Sequence, residues 1–195
     1  GKSQALPVYG SGCYRGLGHD GMIEKAEKYV KLGFKSIKMQ VAHCFTNDED
    51  IANVRDMRKA LGDNIGIMID VNQGWGVEET IKVSKAIEKY NPEWLEEPVM
   101  ADDFEGYQEI CKSISIPVVT GENNFTHNDL LPFMKNKKIS ILQPDIMRGG
   151  YTNLIFTSNL ANEYGIKIAP HMFPELSIHI IASIKNPSWL EYMGW

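Results

Sequence analysis

No stretch of this chain approaches the ~20 consecutive apolar residues that a membrane-spanning helix needs. Its opening residues, GKSQALPVYG, also lack the apolar core of a secretory signal. Positive charge is not in excess: 20 Lys and Arg stand against 25 Asp and Glu, for a net charge of −5. That balance argues against nucleic acid as the main partner and against a basic membrane-surface protein. Cysteine is scarce. Cys13, Cys44 and Cys111 are odd in number and never stand as C-x-x-C, so inert thiols in a reducing compartment, the cytoplasm, are expected rather than disulfides. There is no low-complexity tract, linker or internal repeat. The glycine-rich YGSGCYRGLG (9–18) is neither G-x-G-x-x-G nor a Walker loop. What remains is a chain of 195 residues, 43% hydrophobic, ample for one core and one domain over 1–195.

The positive signal is a rhythm. Short β-rich runs at 5–9, 34–41, 65–71, 93–97, 116–120, 139–143, 166–170 and 189–193 alternate with longer amphipathic segments. In DEDIANVRDMRKALG, Ile51, Val54, Met57 and Leu61 recur at helical spacing behind an acidic first turn, and Gly62 offers the stop. VEETIKVSKAIEKYN and YTNLIFTSNLANEYG read the same way. Eight strands and seven intervening helices predict an α/β fold, a (β/α)8 barrel of the TIM type present as (β/α)7β without a last helix. A doubly wound open sheet is the alternative. In the barrel, the seam between strands 8 and 1 would lack a covering helix. Apolar residues there, such as Leu6, Val8, Leu190 and Tyr192, would then be covered by another chain or by segments outside this sequence.

A barrel carries its functional groups where strands finish, and ionisable residues gather there. Asp70 and Asn72 close IGIMIDVN, Glu96 and Glu97 close EWLEEP, and Glu122 follows IPVVTG. Asp145 follows ISILQP, His171 follows IKIAP, and Glu191 sits in WLEYM. Successive groups fall about one βα unit apart, so each comes from the mouth of the next strand. Glu97 is read as structural, because alternation turns it away from Glu96. Three converging carboxylates, Asp70, Glu96 and Glu122, would repel one another unless a cation sits among them. An all-oxygen set suits a hard cation, with Mg²⁺ the first choice. In GFKSIKMQV, alternation puts Lys38 and Gln40 on one face. Lys38 would then face His171 across the barrel, its charge compensated by the acidic mouth.

The segments IDVNQGW, WLEEP, TGEN, QPDIMRGG, PHMFPE and WLEYM together resemble the enolase superfamily, specifically its mandelate racemase subgroup, over essentially the whole chain. The resemblance implies that Asp70, Glu96 and Glu122 ligate Mg²⁺ and that His171, paired with Asp145, is the catalytic base. It further implies that Glu191 is a protonated acid hydrogen-bonded to the substrate carboxylate, and that Lys38 is the first lysine of a K-x-K motif. The implied chemistry is removal of a proton α to a carboxylate to give an enediolate. The second lysine of that motif is replaced by Gln40, which can hold a hydroxyl but cannot exchange a proton near neutral pH. A two-base racemase is therefore disfavoured. Dehydration of an acid sugar (aldonate or aldarate) to a 2-keto-3-deoxy acid survives. Racemase or epimerase activity on a 2-hydroxy acid, and a non-catalytic barrel, stay open. Gln40 and Asn72 are the substrate-binding candidates, the substrate is a small carboxylate, and a homo-oligomer is expected. The subgroup also carries an N-terminal capping domain, so this chain is expected to be the barrel part of a longer protein. Of the remaining signals, MRGG (147–150) reads as a tight turn before a helix and MKNKK (134–138) as the cationic end of one. His43 could reach the mouth, and Trp75 and Phe173 could line the pocket or pack in the core.

Overall fold

The computed structural model describes residues 5–136 and 138–194. Residues 1–4, Lys137 of the MKNKK segment and Trp195 lie outside it. Eight strands, β1 (Val8–Cys13), β2 (Ser36–Gln40), β3 (Gly66–Asp70), β4 (Trp94–Glu96), β5 (Val118–Thr120), β6 (Ile139–Leu142), β7 (Lys167–Ile168) and β8 (Leu190–Met193), alternate with seven helices. These are α1 (Gly18–Lys31), α2 (Asn47–Leu61), α3 (Val77–Ile87), α4 (Phe104–Ser113), α5 (His127–Lys135), α6 (Ile146–Glu163) and α7 (Pro174–Ile181). Every strand pairing is parallel, in the spatial order 7-6-5-4-3-2-1-8. The ring closes between β7 and the entry to β8. There the Ile168 amide donates to the Asn186 carbonyl (2.9 Å) and the Ser188 amide donates to the Ile168 carbonyl (2.8 Å). Closure of consecutive neighbours into a ring excludes the doubly wound sheet and gives the TIM-type (β/α)8 architecture in its (β/α)7β form.

Local chemistry explains the helices. Thr46 caps α2 in a reciprocal box with Glu49, and Gly62 ends it at φ 71°. Gly150 (φ 72°) breaks the backbone inside α6, so MRGG lies in the first helical turn and the kink after it rather than in a turn ahead of the helix. Outward strand residues such as Ile37, Ile69, Leu95 and Val118 pack under the helices. Inward ones, Tyr9, Met68, Trp94 and Val119, form a plug inside the ring, with Ile141 and Trp189 against it. Trp75 is buried in the outer core and Phe173 packs on Ile146, Leu154 and Ile180, so both are packing residues.

The first strand departs from expectation. It runs Val8–Cys13 rather than 5–9, and half of the glycine-rich segment 9–18 is strand. Glycine is needed for packing there: a Cβ on Gly10 would come within 2.7 Å of Tyr29 Cγ. The Tyr29 hydroxyl in turn donates to the Ser11 carbonyl and accepts from the Gly194 amide. Gly10→Ala is therefore expected to cost about 1–3 kcal/mol of stability by overpacking, read from urea unfolding. A loss below about 0.5 kcal/mol would mean that α1 does not press on β1.

The seam between β8 and β1 is partly covered by α1. Leu190 is buried, and Tyr192, though 41% exposed, stacks on Phe34 at 5.4 Å. Lys25 also reaches across to the Gly194 carbonyl (2.7 Å).

Beyond β2 the chain turns through two left-handed residues, Ala42 (φ 65°) and His43 (φ 58°). The Asp50 carboxylate holds this turn, both oxygens accepting from the Ala42 amide at 3.0 Å. Burial pushes Asp50 up to about 6, against the Ala42 hydrogen bond. A carboxyl raised in the folded state contributes stability below its unfolded pKa, near 3.9, and loses it as pH rises through 6. Two pH units at about 1.36 kcal/mol each make this about 3 kcal/mol. Asp50→Asn should abolish that loss, so its stability relative to the parent should rise by about 3 kcal/mol between pH 4 and pH 7. A pH-independent difference would reject this role.

Candidate active site

The C-terminal ends of the strands surround a cavity of about 240 Å³. Lys38, Gln40, Asp70, Asn72, His171 and Glu191 form its polar wall. Register explains the gathering: Gln40 stands opposite Asp70, and Asp70 opposite Glu96. Glu96 and Glu122, the other two residues of the expected trio, lie buried beside the cavity rather than on its wall.

Lys38 is 4% exposed. Its Nζ donates to Glu96 Oε1 at 2.6 Å, stands 3.0 Å from Glu191 Oε1, and lies 5.6 Å from the centre of the Tyr9 ring. Burial alone would lower its pKa, but Glu191 and Glu96 outweigh that and hold it well above the ordinary value. The charge of Lys38 is thus compensated within the barrel, as alternation implied. Glu191 differs from expectation. Burial would raise it, yet Lys38, His171 and the Met172 amide (2.7 Å) bring it down to about 2. It is therefore ionised here, because the charged group beside it is an ammonium rather than another carboxylate.

His171 and Asp145 come together at the ends of β7 and β6. His171 Nδ1 lies 2.7 Å from Asp145 Oδ2, and the two residues also pair as an isolated parallel bridge. Asp145 caps α6 through the Met147 amide (2.6 Å). Burial would raise the Asp145 carboxyl, but the hydrogen bonds from His171 and Met147 keep it below the usual range. An ionised Asp145 holds the proton on Nδ1 and leaves Nε2 as the free lone pair. Nε2 stands 3.4 Å from Glu122 Oε2.

Glu97 follows Glu96 directly at the end of β4. Its φ of 40° breaks the extended backbone on which alternation depends. The side chain is fully buried and accepts from Asn123 Nδ2 at 2.6 Å. Burial, with Asp70 and Glu96 nearby, raises it to about 7. His43 reaches the rim, its Nε2 3.0 Å from the Asn72 carbonyl. Some contributors were not anticipated: Ser11, Gly12, Tyr14, Met172 and Met193 complete the cavity wall. Arg15 ties the rim together, donating to the Val41 carbonyl (3.0 Å) and to Asn72 Oδ1 (2.7 Å). Reading 8–13 as a strand would have revealed Ser11, which pairs in register with Lys38.

The residues suit a divalent cation in kind. Burial and then repulsion from Glu96 raise Asp70 to about 6; burial, Asp70 and Glu96 push Glu122 to about 10. Glu122 Oε2, Glu97 Oε1 and both polar atoms of Gln143 are buried without hydrogen-bond partners. Such atoms call for a charge or polar ligand. Among the described residues no three His, Cys, Asp or Glu already converge as a ligand set. Lys38 and Trp94 engage Glu96, and the Asn72 amide and Nδ2 engage Asp70. All-oxygen donors on three adjacent strands fit a hard cation such as Mg²⁺.

Comparison with known proteins agrees with this geometry. A family model described as enolase C-terminal domain-like matches residues 21–195. The chain is 32% identical to the L-talarate/galactarate dehydratase of Salmonella typhimurium over 166 residues, covering 84% of this chain and 41% of that enzyme. It superposes on the L-talarate dehydratase of Polaromonas sp. JS666, solved with Mg and L-glucarate, with a TM-score of 0.90 and 28% identity, over 98% of this chain and 54% of that one. It also superposes on a racemase from Streptomyces coelicolor A3(2) with bound magnesium, again at TM-score 0.90 and 28% identity, over 96% and 56%. The chain spans about half the length of the curated relatives it matches. No helix among the described residues is long and apolar enough to cross a membrane. With its barrel, its strand-end carboxylates and a match over residues 21–195, the chain belongs to the enolase C-terminal domain-like family, among the mandelate racemase-like members of the enolase superfamily.

Proposed function

We propose that this chain is the catalytic barrel of a Mg²⁺-dependent hydro-lyase that converts an acid sugar, an aldonate or aldarate, to its 2-keto-3-deoxy acid. The observation that carries the reading is a cavity with a single proton-cycling group. His171, paired with Asp145, lines it from beyond the end of β7, while Gln40, where a second base would be needed, and an ion-paired Lys38 line it from β2. In this reading Asp70, Glu96 and Glu122 hold the cation. When bound, Mg²⁺ supplies positive charge to the substrate carboxylate as negative charge develops there.

The chain's own groups do the rest. His171 Nε2 takes the α-proton, breaking the Cα–H bond and leaving an enediolate. Asp145 stabilises the resulting imidazolium and fixes its orientation. The imidazolium then returns its proton to the departing β-hydroxyl, which leaves as water, and the enol tautomerises to the 2-keto acid. Lys38 stays cationic and offsets substrate charge, while Gln40 and Asn72 hold hydroxyl groups. Glu191 keeps Lys38 in place and donates to the substrate carboxylate only if it gains a proton on binding. Residues 1–195 act as one barrel domain in this reading, assembled as a homo-oligomer in the cytoplasm, where free Cys13, Cys44 and Cys111 stay reduced.

A second reading, racemisation or epimerisation of a 2-hydroxy acid by Lys38 and His171, draws support from their sharing one cavity and from the similarity to the magnesium-containing racemase. Incubating the protein with aldonic and aldaric acids and Mg²⁺ in deuterium oxide separates the two. Dehydration gives keto product. Epimerisation returns deuterated, inverted acid without it. Mg²⁺ binding with neither outcome across the panel leaves the non-catalytic barrel and rejects the enzyme reading.

A further inference from the structure

We propose that Trp94 is a positioning residue for the metal-binding carboxylate of Glu96, which it orients from the barrel interior through its indole N–H. The inference rests on the Mg²⁺ reading above and deepens it. Residues two apart on a strand share a face, so Trp94 and Glu96 both point inward from β4. Both are fully buried, and Trp94 Nε1 donates to Glu96 Oε2 at 3.0 Å. Lys38 holds the other oxygen, Oε1, at 2.6 Å. The carboxylate is thus held at both oxygens, by an ammonium on one and an indole on the other.

The indole itself has little room to turn. Tyr9 packs edge-on against it, with ring centres 5.4 Å apart and planes at 90°, and Met68 and Val119 complete the plug. An indole nitrogen is a donor only and does not titrate near neutral pH, so its contact is constant across that range. A carboxylate oxygen has two acceptor directions. Oε2 can therefore accept the indole proton and keep a lone pair for a cation. Partners that orient a ligating group typically contribute 10–100-fold to metal affinity. A Trp94 that merely filled space would contribute to stability and leave affinity alone.

The test is Mg²⁺ titration by calorimetry on the parent protein, on Trp94→Phe, and on protein carrying β-(3-benzothienyl)alanine at position 94. That analogue replaces the indole N–H by sulfur and keeps the ring shape, so it remains informative if Trp94→Phe folds poorly. Trp189→Phe, in the same plug, serves as the packing control. The dissociation constant for Mg²⁺ should rise about 10–100-fold in both position-94 proteins and change less than about twofold in Trp189→Phe. The Trp94 indole proton resonance should also shift as Mg²⁺ is added. Parent-like affinity in the folded benzothienyl protein would overturn this proposal and leave the metal reading intact. No Mg²⁺ binding by the parent would overturn both.

Discussion

His171→Asn is expected to lower exchange of the substrate α-proton with solvent deuterium by about 10²–10⁴-fold, the range ascribed to a positioned general base. Mg²⁺ affinity should change little. The expectation follows from the 2.7 Å contact between His171 Nδ1 and Asp145 Oδ2. Because Asp145 is held below the usual carboxylate range, it fixes the proton on Nδ1 and leaves the basic lone pair on Nε2. An asparagine can keep a hydrogen bond to Asp145 but cannot accept a proton near pH 7. Lys38 cannot take over, since Glu96 and Glu191 hold it cationic. Gln40→Lys should leave dehydration intact and add exchange on the opposite face of the substrate. The decisive result is the double variant. Exchange that persists in His171→Asn and vanishes in His171→Asn with Lys38→Met would assign the base to Lys38 and reject His171 in that role.

Lys38→Met is expected to destabilise the metal-free protein by about 3–5 kcal/mol at pH 7, the usual cost of removing one partner from a buried ion pair. Glu96 and Glu191 are essentially inaccessible to solvent, and without the ammonium both would carry uncompensated charge. The pH dependence has a definite sign. Glu191 is lowered to about 2 in the folded protein, against an ordinary Glu value near 4.3. Its contribution is therefore present above the ordinary value and lost as pH falls from about 4.3 to 2. That contribution depends on Lys38, so the gap between parent and variant should be widest near neutral pH and narrow below pH 4. Urea unfolding at pH 7, 4 and 3 measures it. A gap that stays constant across this range would show that Lys38 acts through packing of its aliphatic stem rather than through its charge.

Much of this molecule was legible from local pattern. Alternation of short apolar runs with amphipathic segments marked all eight strands and the intervening helices, because strand and helix periods are set by neighbouring residues. The strand ends were also legible, and Asp145 and His171 do meet there. The misreadings have one cause, local rules applied where packing or backbone conformation overrides them. YGSGC is strand despite its glycines, because Tyr29 of α1 leaves no space for a side chain at Gly10. At Glu97 a φ of 40° interrupts the extended backbone on which alternation depends, and Asn123 holds the buried side chain.

By itself, the sequence determined the fold class, the order of elements and which strand ends carry ionisable groups. It also put an amide, Gln40, two residues after Lys38 on the same strand face. Only the tertiary structure decided how those groups are paired: Lys38 with Glu96 and Glu191, Trp94 beneath Glu96, and Arg15 across the rim to Asn72. Periodicity is a property of neighbours in the chain, whereas the charge state of a buried group depends on its neighbours in space. For Lys38 those neighbours stand on β4 and β8, far along the chain, and closure of the ring sets them beside it.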